Sequence, residues 1–388
     1  MRLNCKERGR MANPERNSAF GAPRAKQSRS AWPNVFLIPC VGLMLAGAAP
    51  DENVQCREDN PDMRVSDMQY VTTHNAFHIA PDDAVLSFVR RTRRGESVNR
   101  PIERIVSAHD YTHPTLAQQL AMGVRAFEID VHDDPTGGRF SQPNIYSAMP
   151  RNVVDALPPI DPSNDLAKPG FKTFHEADFD MRSTCLLFRN CLKEIANWHR
   201  ANPQHLPIFI LLEMKQDAKT TSSSLGDNTV WRRIQEEILG EFVQSDLINP
   251  SDIAHDSALW PTLVWARGKV TFLLFDYGDR PVERYAEYIS ASGDHALLHI
   301  EKDVGGLRAT WQSRNDPATM GRSPAIKPGL LLYTKGDTTG VQDSTRAKTA
   351  LASQANFVAT DFLTSNASRT DYSLSINGKY TRLICDQR

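Results

Sequence analysis

Eight short apolar runs, each closed by polar residues and followed by a helix-like or loop segment, constrain this 388-residue chain more than any other feature. They cover residues 69–73, 125–131, 172–175, 207–214, 270–275, 296–300, 329–333 and 356–360. Runs such as PIFILLEM and VTFLLF are nearly continuous in apolar residues, which suits strands buried on both faces. Between the runs, residues 115–122, 186–199, 229–242 and 344–353 repeat apolar positions at helical spacing. Strands that alternate with helices pair in parallel through right-handed crossovers. Eight of them over about 340 residues fit an α/β fold of the (β/α)8 barrel type, with insertions, better than an open doubly wound sheet. The connections 134–170 and 305–329 are long and polar. The second lacks a convincing helix, so the barrel is expected to be irregular there.

Barrels of this kind collect function at the C-terminal ends of their strands. FEIDVHDD, residues 127–134, ends the second run. Alternate side chains on a strand share a face, so Glu128, Asp130 and His132 point one way and Phe127, Ile129 and Val131 the other. The remaining ends carry His74 and Asn75, His175, Glu213 and Lys215, Asp276, Glu301, Lys335 and Asp361. Carboxylates and an amide oxygen are hard donors, suited to calcium or magnesium. The strand ends offer neither sulfur nor clustered imidazole, so zinc and copper fit poorly. Two histidines at neighbouring ends, His74 and His175, suit proton transfer around such a cation. His78, His109, His113 and His132 read as surface or supporting residues. Asp276 and Asp361 read as caps of the segments that follow. Lys335 reads equally as a phosphate contact or a solvated lysine.

The N-terminus has a different character. Residues 1–31 are rich in Arg, Lys, Asn, Ser and Pro, and then VFLIPCVGLMLAGAA, residues 35–49, is apolar and ends in small residues. That order is a basic leader followed by a secretory signal peptide. The run is shorter than the roughly 20 apolar residues that cross a bilayer, and it contains Pro39. Cleavage near Ala48 or Ala49 is therefore expected, leaving 50–388 as a single domain outside the cell or in a periplasm. Cys56, Cys185, Cys191 and Cys385 remain after cleavage. An even count in an oxidising compartment suggests disulfides, most simply Cys185–Cys191 and Cys56–Cys385. The formal net charge of −1 and the absence of a tryptophan stacking array point away from nucleic acid.

TTHNAF, LAQQLAMGVRAFEIDVH, FKTFHEAD, ILLEMK and the late segment from GLLLYTKGD to ATDFL, in that order, resemble the calcium-dependent phosphoinositide-specific phospholipases C, in particular their secreted single-domain microbial branch. The likeness runs from about residue 68 to residue 363. It implies Ca2+ rather than Mg2+, held by Asn75, Glu128, Asp130 and Glu213, with Glu213 at the fourth strand. It implies His74 and His175 as the catalytic pair, His175 at the third strand end with His132 a rival. Lys215 would contact phosphate or inositol. In such enzymes the inositol 2-hydroxyl attacks the phosphodiester, with Glu128 or a histidine as base. His175 protonates the departing diacylglycerol, and His74 steadies the phosphoryl charge. The partner implied is a phosphoinositide at a membrane surface, and the expected state is a monomer.

Three alternatives compete: a glycerophosphodiester phosphodiesterase, a sphingomyelinase-D-like lipase, and an inactive barrel that binds inositol lipids. The first typically carries Arg after the first histidine, where this chain has Asn75. No EF-hand loop or lipid-binding module of the large signalling members can be read in the chain.

Overall fold

The structure is a computed structural model that describes residues 56–384, apart from 94–100, 216–227, 254–259, 279, 321–328, 338–339 and 365–370. The leader and signal segment, and Cys385, lie outside the described residues. The described residues all fall in the unit Pro50–Arg388.

Eight parallel strands build the barrel: β1 (Met68–Thr73), β2 (Ala126–Val131), β3 (Ile208–Met214), β4 (Val270–Leu274), β5 (Leu298–His299), β6 (Trp311–Ser313), β7 (Leu331–Lys335) and β8 (Phe357–Thr360). Their order is β5-β4-β3-β2-β1-β8-β7-β6, and a ninth strand, β9 (Thr381–Leu383), pairs antiparallel with the start of β1. The barrel is nearly closed. Its two end strands meet through a parallel bridge between Ile300 and Ala309. The Trp311 indole also donates to the His299 carbonyl (3.1 Å), and Ser313 donates to Glu301 Oε2 through amide and hydroxyl.

One predicted strand is wrong. Residues 172–175 make only isolated antiparallel bridges, Lys172 pairing with His132 and Leu187. The third barrel strand is Ile208–Met214, and the eighth place is filled by Trp311–Ser313, inside the connection read as irregular. Period-two apolarity over four residues does not tell a strand from a turn packed on a core. A three-residue strand is shorter still. The four helices expected from periodicity appear as Leu116–Met122, Phe188–Ala201, Asn228–Glu241 and Ser344–Ala352. Asp83–Thr92, Ile102–Ser107 and Pro281–Ser292 are further helices that the sequence reading did not name.

Two apolar layers follow from alternation along the strands. Phe127, Ile129 and Val131 of β2 and Ile208, Ile210 and Leu212 of β3 face the helices, against Leu120, Ile195 and Trp231. Ala126, Phe209 and Leu211 face the interior, which Tyr70, Trp311, Tyr333 and Phe357 fill. Each such side chain contributes about 1.5–3 kcal/mol through burial. The interior aromatics plug the barrel below its mouth, so the polar ends of β2 and β3 have no apolar space to sink into.

The long excursion between β2 and β3 is held by covalent and ionic ties. Cys185 and Cys191 form a disulfide. Lys172 is fully buried, with Nζ 3.0 Å from the Gly170 carbonyl and 3.3 Å from Asp134 Oδ2. No helix among the described residues is long and apolar enough to cross a membrane.

Candidate active site

His74 is the first residue beyond β1. Its amide donates to the Thr360 carbonyl (3.1 Å), continuing the ladder that pairs Thr73 with Thr360. The same step in register brings Asp361 alongside, with Oδ1 2.5 Å from His74 Nδ1. On the other flank Thr73 pairs with Phe127, and Glu128 Oε1 lies 3.4 Å from His74 Nε2. Lys335 Nζ, at the end of β7, is 3.3 Å from the same nitrogen. Burial and Lys335 oppose protonation of His74, but Glu128 and Asp361 outweigh them and hold its pKa above the ordinary value. Asp361 also accepts from the Gly340 amide (3.0 Å). Gly340 has φ +66°, and a Cβ there would lie 2.3 Å from the Ala108 amide nitrogen, so only glycine lets this loop close on the site.

Asn75 follows in a left-handed conformation (φ 46°), which Asn tolerates better than most residues. Its amide nitrogen donates to the Tyr111 hydroxyl (3.0 Å), turning the carbonyl oxygen away from that bond. The next amide, Ala76, donates to the Glu128 carbonyl (2.8 Å), so Asn75 sits beside the acid-bearing strand. The turn is pinned from below by Gln119, which donates to the Ala76 carbonyl (2.7 Å). Gln119 belongs to the helix Leu116–Met122, started by a Thr115–Gln118 capping box and stopped at Gly123.

Register also assembles the acids. Asp130 pairs with Glu213 across β2 and β3, and alternation turns both, with Glu128, toward the barrel axis. One carboxylate oxygen from each of the three lies within 4.8 Å of the others. Glu128 Oε2 accepts from the Tyr333 hydroxyl (2.9 Å). Lys215 Nζ stands 3.1 Å from Glu213 Oε1 and 3.2 Å from Asp130 Oδ2. Asp130 Oδ1 is buried with no hydrogen-bond partner among the described residues. Burial pushes the Asp130 carboxyl well above the usual range; Lys215 pulls against this, while Glu213 and Glu128 add to it. A buried acceptor without a donor is costly. A hard divalent cation answers that need, and three carboxylates with a nearby amide oxygen are the donors it takes.

His175 lies off the barrel strands, on a hairpin in which Glu176 and Asp180 exchange backbone hydrogen bonds (3.0 and 3.1 Å). Asp180, fully buried, gathers three imidazoles: His175 Nδ1 (2.9 Å), His109 Nδ1 (2.7 Å) and His78 Nε2 (2.8 Å). Burial works against the Asp180 charge, but these histidines overcome it and hold its carboxyl well below the usual range. Burial dominates at His175 and pushes its pKa well below the ordinary value despite Asp180.

This overturns one expectation, because imidazoles are clustered here, with His78 and His109 as buried supporting members of the cluster. No local spacing could have shown it, because the partners of Asp180 come from positions 102 and 71 residues away. His132 is not a rival for His175. Its ring is fully buried and stacked 3.9 Å from Phe174, whose carbonyl accepts from Nε2 (2.8 Å). Asp361 holds His74 instead of serving only as a cap. Asp276 pairs with Lys302, and Glu301 accepts from Asp276 and Ser313, so both are tied into the barrel wall. Tyr333, Tyr111 and Asp180 complete the site and had no signal in the sequence beyond ordinary composition.

The profile of a family described as "Phosphoinositide phospholipase C, Ca2+-dependent" matches residues 63–384. No curated protein matches the chain. Among solved structures, the chain is similar to a calcium-dependent phosphoinositol-specific phospholipase C from a Gram-negative Pseudomonas species, at 16% identity and TM-score 0.48 over 83% of this chain and 96% of that one. It is also similar to a Ca2+-dependent phosphatidylinositol-specific phospholipase C from Streptomyces antibioticus, at 16% identity and TM-score 0.47 over 77% and 95%. The phosphatidylinositol-specific phospholipase C of Listeria monocytogenes matches at 15% identity and TM-score 0.32 over 66% and 80%. These likenesses are distant, and the assignment rests on the profile match across most of the chain: this protein belongs to the Ca2+-dependent phosphoinositide phospholipase C family.

Proposed function

We propose that this chain cleaves phosphatidylinositol-type lipids at the phosphodiester, releasing diacylglycerol and a cyclic inositol phosphate, with Ca2+ as cofactor. The observation that carries this reading is the convergence of Glu128, Asp130 and Glu213 beside His74 at one end of the barrel. Ca2+ is preferred over Mg2+ because three carboxylates and the Asn75 oxygen suit a flexible, many-oxygen site, whereas Mg2+ keeps most of its waters. When bound, calcium supplies neutralisation of charge on the phosphoryl oxygens.

The side chains divide the remaining work. Glu128 takes the proton of the inositol 2-hydroxyl. His74, its pKa raised by Glu128 and Asp361, faces the phosphoryl oxygens with Lys335 beside it. Lys215 is placed for an anionic or hydroxyl group of the substrate. His175 gives its proton to the departing diacylglycerol oxygen. Burial holds its pKa well below the ordinary value in the free protein, and the arriving anionic phosphodiester favours its protonated form. Asp180 fixes the tautomer and aims the ring. The leader 1–49 directs export, and the mature chain works as a monomer on lipid at a membrane surface.

Phosphatidylinositol incubated with the mature protein, with and without calcium, and read by phosphorus NMR, tests the reading. Cyclic inositol phosphate formed only with calcium supports it. Phosphatidic acid or glycerophosphate would point to the rival barrel phosphodiesterases, and no product to an inactive lipid binder.

A further inference from the structure

Two sets of imidazole-bearing side chains have ligand spacing apart from the acid cluster: His78, His175 and Asp180, and His109, His175 and Glu176. Within each set, one ligand atom per residue lies within 4.8 Å of the others. The first set is already committed. His78 engages the Tyr111 carbonyl (2.9 Å) through Nδ1 and Asp180 through Nε2, and Asp180 is shared by three rings.

The second set is not. His109 and His175 both direct Nδ1 to the same oxygen, Asp180 Oδ2. Their Nε2 atoms and the Glu176 carboxylate have no hydrogen-bond partner among the described residues. The rings lie 4.9 Å apart and tilt by 35°, and one ring nitrogen of each falls within ligand spacing of a Glu176 oxygen. A carboxylate that accepts Nδ1–H and presents the Nε2 lone pair is how metal-binding histidines are oriented. Glu176 is fixed by the backbone bonds of its hairpin, and His175 remains 14% exposed, so a cation can reach the group.

We propose that His109, His175 and Glu176 form a second metal site, selective for Zn2+ and similar transition cations, whose occupation switches the enzyme off. Two imidazoles and one carboxylate are the ligand set of open zinc sites. The acid cluster offers oxygen alone and selects the hard cation, so the two sites sort metals by donor softness. Inhibition follows because zinc takes the nitrogen that delivers the proton to the leaving group, a consequence that rests on the role given to His175 above.

The test titrates ZnCl2 into the purified, calcium-saturated protein by calorimetry, with Co2+ as a spectroscopic probe and Glu176→Gln as the variant. Glu176 is partly exposed and Gln has its shape, and thermal melting confirms that the variant is folded. Expected are one zinc per chain, tetrahedral Co2+ absorption bands, and a loss of affinity in Glu176→Gln of at least about 10–100-fold. Zinc should stop wild-type lipid cleavage at concentrations the variant withstands, and a chelator with excess calcium should restore it. Equal zinc affinity in both proteins overturns the site, as does zinc affinity that falls as calcium rises. Zinc bound through Glu176 without inhibition keeps the site but removes His175 from the reaction.

Discussion

Replacing Asp361 by Asn tests how the histidine at the barrel mouth is held. Asp361 Oδ1 lies 2.5 Å from His74 Nδ1, a charge-assisted bond, while Oδ2 accepts from the Gly340 amide at 3.0 Å. An asparagine oxygen can serve only one of these donors. If it serves Gly340, an NH2 group faces the His74 N–H; if it serves His74, the Gly340 amide loses its acceptor. In either case one of the two negative charges that raise the His74 pKa is gone, and only Glu128 remains. Hydrogen bonds to charged groups are worth about 1.5–3 kcal/mol. That loss lowers kcat/KM roughly 10- to 150-fold. It should fall mainly on kcat, because the His74 charge is needed most as the transition state forms. Initial rates on phosphatidylinositol in mixed micelles at saturating calcium provide the measurement, with thermal melting as the control for folding. A folded variant with kcat/KM within about threefold of wild type refutes the reasoning.

Lys172→Met removes the buried ammonium and leaves Asp134 and the Gly170 carbonyl unanswered, so urea unfolding should show a loss of about 3–5 kcal/mol; an unchanged midpoint contradicts this tie. His175→Ala should lower turnover of lipid by about 10²–10⁴-fold. The loss should be much smaller with a phenol leaving group, which departs without a proton; equal losses would strip His175 of its acid role. Opening the six-residue Cys185–Cys191 link should cost about 2 kcal/mol in the chain-entropy picture, read as a lower melting temperature. The proposed Cys56–Cys385 link is supported by Ile384, whose amide donates to the Asp67 carbonyl (2.7 Å) and so lies beside the start of β1. Non-reducing peptide maps of protein prepared under oxidising conditions should contain both disulfide-linked pairs, and free thiols at Cys56 and Cys385 would remove the second.

Much of the acid cluster was legible because alternation is a local rule. Glu128 and Asp130 share a face by being two residues apart, and Glu213 lies near the end of the apolar run PIFILLEM. Which strand pairs with which is not local. The false strand at 172–175 arose from FKTF, whose Phe171 is buried in the layer between barrel and helices and whose Phe174 is buried within the excursion after β2, neither as part of a strand. Trp311–Ser313 was missed because three residues carry no periodicity, and their place is set by closure against β5. The roles of Asp361 and Asp180 were hidden for the same reason. Each meets its histidine across long stretches of chain, 287 residues for His74 and 102 for His78, and only the barrel brings them together.

The central claim is that the Glu128–Asp130–Glu213 cluster binds the calcium on which lipid cleavage depends. Calcium titration by calorimetry, paired with cleavage rates across the same calcium range, tests it most directly in wild type and Asp130→Asn. One calcium per wild-type chain is expected, with a dissociation constant equal to the calcium concentration that half-saturates cleavage. In Asp130→Asn both values should rise together while thermal melting shows a folded protein. Wild-type cleavage that persists in excess chelator, or calcium affinity unchanged in Asp130→Asn, would contradict the account.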